Sequence, residues 1–380
     1  MKRRYRIMVS AVAALLSVAL VITLIMLGTA SQGPLRAALD AVGGAISRLE
    51  ARVARAARGT AREDQMKWLA PYRTSADSLR QPRHILLGAY DDGIPATLDG
   101  VMQLEQALAQ PLPLIQIYSA WGDQPDQQFP QRLVRAIDEL GSIPVITWEP
   151  WLTAFENSLH PELPLRDQRD RGGLAGVAVG TYDFYIDRWA RAAAQYGRPL
   201  LLRFAHEMND PYRYPWGPQN NEVIDFLNAW RHVVARFRAA GAHNVLWVWS
   251  PHVAYAGYEV YYPGNDVVDW IATGALNYGT VAYWSQWWTF QEIFGQRYDV
   301  LAALNRPIMI AEFGSLAVGG DRAQWFRQAL LNLPSDYPAV KAVLFFHVGR
   351  DQTVTYQALD WSFAHDSATV TAVRSALSAW

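Results

Sequence analysis

Arg203, His206, Glu207 and Asn209 put four polar groups into seven residues, directly behind the apolar run Leu200–Leu202. A run that short, opening after Arg198-Pro199, reads as a strand buried on both faces. The loop that follows is rich in Pro, Tyr and Trp. A buried strand that hands an arginine, a histidine and a carboxylate to an aromatic loop has the makings of a catalytic strand end. The plainer reading is a strand tip that meets solvent. A second carboxylate, Glu312, ends another apolar run, Arg306-Pro-Ile-Met-Ile-Ala-Glu-Phe-Gly314. Two carboxylates facing one cleft can divide a task between them. One, protonated, assists a leaving oxygen, and the other, ionised, attacks or stabilises an anomeric carbon, as cleavage of a glycosidic bond requires. Charge on one raises the pKa of its neighbour and helps set that division.

The elements that must position these groups are legible from His84 onward, where short apolar runs alternate with amphipathic segments. Strands are expected at 85–90, 114–118, 144–148, 200–204, 245–249, 270–276, 308–312 and 342–347. Helices are expected at 98–109, 130–140, 182–196, 222–240, 291–304, 321–332 and 366–379. Eight strands, each followed by a helix or a long loop, predict a (β/α)8 TIM barrel. In such barrels function gathers at the C-terminal strand ends. Those ends carry Tyr90-Asp91-Asp92, Tyr118 with Trp121, Trp148-Glu149-Pro150-Trp151, His206-Glu207, Trp249-Ser250-Pro251-His252, Asn277-Tyr278, Glu312 and His347. Strands four and seven lie across the barrel, so Glu207 and Glu312 can share one cleft.

Arg203-x-x-His206-Glu207-Met208-Asn209, followed by Glu312-Phe-Gly314 on the seventh strand, resembles glycoside hydrolase family 26, in the (β/α)8 clan of retaining glycosidases. The resemblance covers about residues 80–380. It implies Glu207 as acid/base and Glu312 as nucleophile, with Arg203 and His206 organising the site. It further implies that Tyr278 hydrogen-bonds the nucleophile and that Trp216 lines the cleavage subsites. Leu276 departs from the family's β-mannanases, which often carry an aspartate two residues before that tyrosine. Family members also act on mixed-linkage β-glucan and on xylan.

Other residues have two readings. Trp284, with Trp287 and Trp288, is either core or a stacking platform for sugars, and Trp148 and Trp249 at strand ends are treated alike. Asp91 and Asn209 are placed to bind sugar hydroxyls. Glu149 reads as a salt bridge below the rim or as a third active-site carboxylate, and His252 and His347 as satisfied polar groups or as ligands. No metal or cofactor is expected. His206-Glu207 lacks the i, i+4 spacing of zinc enzymes, and no other His/Asp cluster in the sequence offers three ligands.

Composition agrees with this reading. The chain has 16 Trp and 18 Tyr, more than a core needs, and no Cys, which removes disulfides and thiolate metal sites. Residues 1–66 carry a net charge of +6 and the remainder about −7, which argues against nucleic acid as the main domain's partner. Lys2, Arg3, Arg4 and Arg6 precede an uncharged run over 7–27, long enough to span a bilayer, with the basic flank inside. Gly28-Thr29-Ala30 offers an alternative, a cleaved signal segment. Residues 35–62 predict a helical stalk whose 4-3 seam, Leu35 to Ala56, is a candidate for weak self-association despite Gly43-Gly44. The expected organisation is therefore a membrane anchor at 1–30, a stalk at 31–66 and a catalytic barrel at 67–380. The expected whole is a membrane-anchored, extracytoplasmic retaining endo-β-glycanase. The rival is a non-catalytic polysaccharide-binding or synthesis-accessory protein on a hydrolase barrel.

Overall fold

The computed structural model describes residues 62–380. The predicted span at 7–27 and the seam at 35–56 lie outside them. Among the described residues no helix is long and apolar enough to cross a membrane.

Eight parallel strands close into a barrel in sequence order: β1 (Leu86–Asp91), β2 (Leu114–Ala120), β3 (Ile143–Glu149), β4 (Leu200–Phe204), β5 (Val245–Trp249), β6 (Trp270–Asn277), β7 (Ile308–Ser315) and β8 (Val340–His347). Each predicted strand is present, most of them one to three residues longer than expected. The outer helices include α1 (Asp99–Leu108), α2 (Gln131–Leu140), α3 (Asp183–Tyr196), α4 (Val223–Ala239), α5 (Arg322–Leu331) and α6 (Ser367–Leu377). Their boundaries follow local chemistry. Asp321 and Asp366 cap α5 and α6 by accepting from Gln324 N and from Ala368 N and Thr369 N. Gly141 ends α2 in the left-handed conformation that a Cβ disfavours.

Strand residues alternate between two apolar clusters. Leu200, Leu202 and Phe204 of β4 face the helices, together with Val245, Trp247 and Trp249 of β5. Leu201, Leu246, Val248, Trp270, Met309 and Leu344 fill the lower barrel interior. β1 reaches its neighbours closely at Gly88, where a Cβ would come within 2.7 Å of Leu114 Cβ and 2.9 Å of Leu344 Cγ. The alternation breaks in β8, where Val340 faces the helices and Ala342 the interior, and in β7. Thr273 pairs with Ile310 but Gly274 pairs with Glu312, so Ala311 is an extra residue in the ladder. Ile310 and Phe313 both face the helices, and the two residues between them both turn inward.

The barrel floor draws on residues that the sequence assigns to the stalk. Met66 packs with Leu69, Tyr72 and Leu79 beneath the inner cluster. Arg62 is buried and ion-paired to Glu105 at 2.7 Å, and it also donates to Leu140 O and to Ser142 Oγ. The domain therefore begins at or before Arg62 rather than at residue 67.

Candidate active site

Parity along the strands decides which tips reach the cleft. On β4, Leu201 and Arg203 point inward, and Arg203 aligns with Thr147 of β3, whose Oγ1 accepts from Arg203 Nε at 3.1 Å. The same guanidinium donates from Nη2 to Glu312 Oε1 at 2.6 Å. Tyr118, inward on β2, donates its hydroxyl to the same oxygen at 2.7 Å and is itself held by Gln116 Nε2 at 3.0 Å. Burial pushes the Glu312 carboxyl up, but the Arg203 charge and these two hydrogen bonds outweigh it and hold the group below the usual carboxylate range. Oε1 is thus fully engaged, and Oε2 lies 3.9 Å from where a Cβ on Gly274 would stand.

Glu207 leaves β4 through a strained turn. Ala205 and Glu207 adopt positive φ of 44° and 53°, held by hydrogen bonds from Ala205 N to Trp148 O and from Glu207 N to Ser250 O at 2.7 Å. Its carboxyl is buried, with Arg213 Nη1 3.4 Å from Oε2 and His252 Nε2 4.0 Å from Oε1. His206 is buried beside it, and burial, then the charges of Arg203 and Arg213, lower its pKa well below the ordinary value, so the ring is neutral. Its Nε2 meets Tyr214 OH at 3.1 Å, and its carbonyl accepts from Trp216 Nε1 at 2.7 Å. Trp216 is buried and stacks on Tyr214 at 4.6 Å and 12°. Among the described residues, His206 Nδ1, Glu207 Oε2, Asp210 Oδ2 and Ser250 Oγ are buried polar atoms without a hydrogen-bond partner, all near the tips of β4 and β5. Such atoms call for a ligand or solvent.

Several expectations are corrected. Tyr118, with Arg203, takes the role foreseen for Tyr278. Tyr278 instead packs edge-on against Trp284 and Trp361. Trp148 and Trp249 are completely buried on the helix side, Trp148 at 4.8 Å from Trp189 and Trp249 at 5.0 Å from Tyr262, so neither reaches a sugar. Asp91 has the outward parity of Leu87 and Ala89. It accepts from Gly93 N and pairs with His347 Nδ1 at 2.9 Å, outside the cleft. Asn209 spends its side chain on His252, donating to its carbonyl at 2.9 Å and accepting from its N–H at 2.8 Å, so it ties β4 to β5 rather than binding substrate. Of the aromatics after β6, Trp284 is 43 % exposed, whereas Trp287 lies against Gly320, where a Cβ would come within 2.3 Å of the ring.

Glu149, inward on β3, makes no salt bridge to Arg or Lys among the described residues. Oε2 accepts from Trp151 Nε1 at 3.1 Å, Oε1 lies 4.0 Å from the neutral His206, and burial raises its pKa. The sequence reading also found no third ligand for a metal, yet Glu207, Asp210 and His252 each bring a donor atom within 4.8 Å of the others. Arg213 beside Glu207 disfavours a cation there. Arg213 and Tyr214 were missed altogether. Their signal was a charged and an aromatic residue in the loop that directly follows the acid.

A closed parallel barrel with two buried carboxylates brought from opposite strands to its C-terminal face defines a (β/α)8 barrel of the glycosidase type. Residues 179–320, which include both Glu207 and Glu312, match the model of glycosyl hydrolase family 26. Endoglucanase H of Acetivibrio thermocellus is 32 % identical over 253 residues, 64 % of this chain and 25 % of that protein. A mannan endo-1,4-beta-mannosidase of Bacillus subtilis is 25 % identical over 193 residues, 47 % of this chain and 49 % of that one. The chain thus spans about a quarter of the first of these relatives and half of the second. Among solved structures, GH26C from a Muricauda species superposes with a TM-score of 0.56 at 17 % identity, covering 79 % of this chain and 86 % of that one. A GH26 beta-mannanase from Bacteroides ovatus gives 0.54 at 15 % identity over 82 % and 92 %. At these identities the superpositions speak to the fold alone.

Proposed function

We propose that this chain is a retaining endo-β-glycanase that hydrolyses β-1,4-type linkages in mixed-linkage β-glucan or β-mannan by double displacement. The observation that carries the reading is Glu312, a buried carboxylate kept ionised by Arg203 and Tyr118 through one oxygen, with the other left to react. Glu312 Oε2 attacks the anomeric carbon as Glu207 gives its proton to the departing glycosidic oxygen. Glu207 then takes a proton from water, which displaces Glu312 and restores both groups. The retaining route calls for carboxyl groups about 5–5.5 Å apart. The longer match to an endoglucanase, together with Leu276, favours glucan over mannan.

We further propose that 7–27 anchors the barrel to a membrane on the extracytoplasmic side. The support is the uncharged run behind Lys2, Arg3, Arg4 and Arg6.

The test is the anomer first released from a β-glucan, followed by NMR, with Glu207→Gln and Glu312→Gln as controls. The β-anomer should appear first, and Glu207→Gln should slow turnover by about 10²–10⁴-fold. Azide should rescue Glu207→Ala as a β-glycosyl azide. Initial release of the α-anomer, or full turnover by Glu207→Gln, would sink the proposal. Binding without any product would support the accessory-protein reading instead.

A further inference from the structure

Arg213 is a charged group of the site that the double displacement leaves unused. It stands on a rigid support. Nη2 donates to Tyr214 OH at 3.0 Å and the guanidinium lies 5.1 Å from the centre of the Tyr214 ring. Tyr214 in turn is fixed by Trp216 and His206. The side chain remains 27 % exposed. Arg203, the buried arginine of the site, already has its carboxylate at 2.6 Å. Arg213 does not. Its nearest carboxylate oxygen, Glu207 Oε2, is 3.4 Å away, beyond the 2.7–2.9 Å or so of a charge-assisted bond, and Nε and Nη1 make no hydrogen bond among the described residues.

A sugar carboxylate engages the open donors of the planar guanidinium, which a neutral sugar cannot match in charge or in fork geometry.

Building on the glycanase reading, we propose that Arg213 is a specificity-determining residue for an acidic β-glycan, binding the carboxylate of a uronic acid that flanks the bond Glu207 protonates. The aromatic rim next to it, Tyr212 at 79 % exposure and Tyr255 at 6.0 Å from it, supplies ring faces for the same sugar.

The experiment compares mixed-linkage β-glucan with the same polymer partly oxidised at C6 to uronic acid. Wild-type protein should cut the oxidised polymer with kcat/KM about tenfold higher or more. Arg213→Gln should bring the ratio near one, and Arg213→Lys should fall between. Equal rates in the wild type, or a ratio unmoved by Arg213→Gln, overturns the assignment. If Arg213→Gln does not fold, the wild-type and Arg213→Lys ratios decide. Calorimetric titration of both oligosaccharide sets into Glu207→Gln protein, with and without Arg213→Gln, reads binding apart from turnover. Tighter binding of the oxidised set with no hydrolysis by wild type means that the glycanase reading fails and the Arg213 assignment stands. No tighter binding sinks the assignment whatever the turnover.

Discussion

Residue by residue, the site is a division of labour between one satisfied carboxylate and one left unsatisfied. Glu312 is locked by Arg203 and Tyr118, while Glu207 is held only by its strained backbone and by neighbours at 3.4–4.0 Å. His206, next to Glu207 in the chain, is a buried neutral ring held by Tyr214. Because its folded pKa lies well below the ordinary value, the folded protein refuses a proton that the unfolded chain accepts below about pH 6.5. Stability from this group is therefore complete above that pH and declines as pH falls. Glu149, with a raised pKa, contributes with the opposite sign. Thermal unfolding midpoints measured from pH 7 down to pH 5 should fall in the wild type and fall less steeply in His206→Gln. Equal slopes in both proteins would show that His206 is not the source.

At the level of the elements, the sequence carried the barrel in full, since eight apolar runs at regular spacing leave little else to build. It also carried Arg203, His206, Glu207 and Glu312, whose polarity breaks those runs. What it hid was parity. Trp148 and Trp249 adjoin the cleft in sequence, yet each is one residue away from an inward position, taken by Glu149 on β3 and by Ser250 after β5. Placing Arg203 inward and aligning it with Thr147 would have shown Glu149 as the inward residue and Trp148 as the outward one. The partners of loop residues such as Arg213 had no such periodic signal. The parity argument separates two tryptophans. Trp148→Ala empties a site between barrel and helices and should cost about 3–5 kcal/mol of stability. Trp284→Ala, on an exposed loop, should leave stability within about 0.5 kcal/mol and raise KM for long oligosaccharides. Urea unfolding and steady-state kinetics on both variants check this, and a stable Trp148→Ala protein with weakened substrate binding would contradict it.

Taken whole, the molecule closes its lower end with residues ahead of the barrel proper. Arg62 was read as stalk because its Ala- and Arg-rich surroundings continue a helical pattern, and nothing in that composition marks where packing on the barrel begins. Its buried pairing with Glu105 means that truncation position matters. A chain starting near residue 60 should leave the membrane fraction and keep the barrel's stability. One starting at residue 67 should lose about 3–5 kcal/mol, because the buried ion pair of Arg62 with Glu105 is broken. Fractionation and denaturant midpoints of the two chains measure both effects. Equal midpoints would show that the floor does not depend on Arg62 and Met66.

The extra residue in β7 has a consequence for how such a barrel could lose its chemistry. Glu312 faces Arg203 only because Ala311 throws the strand out of step with β6 and β8. Were the strand to pair straight through instead, Ala311 would stand opposite Gly274 and the carboxylate would swing toward the helices. Arg203 would stay behind as a buried charge with no counter-ion. The active centre is thus encoded partly as a pairing register, so a lineage could keep every catalytic side chain and still part with catalysis through a one-residue slip of this strand.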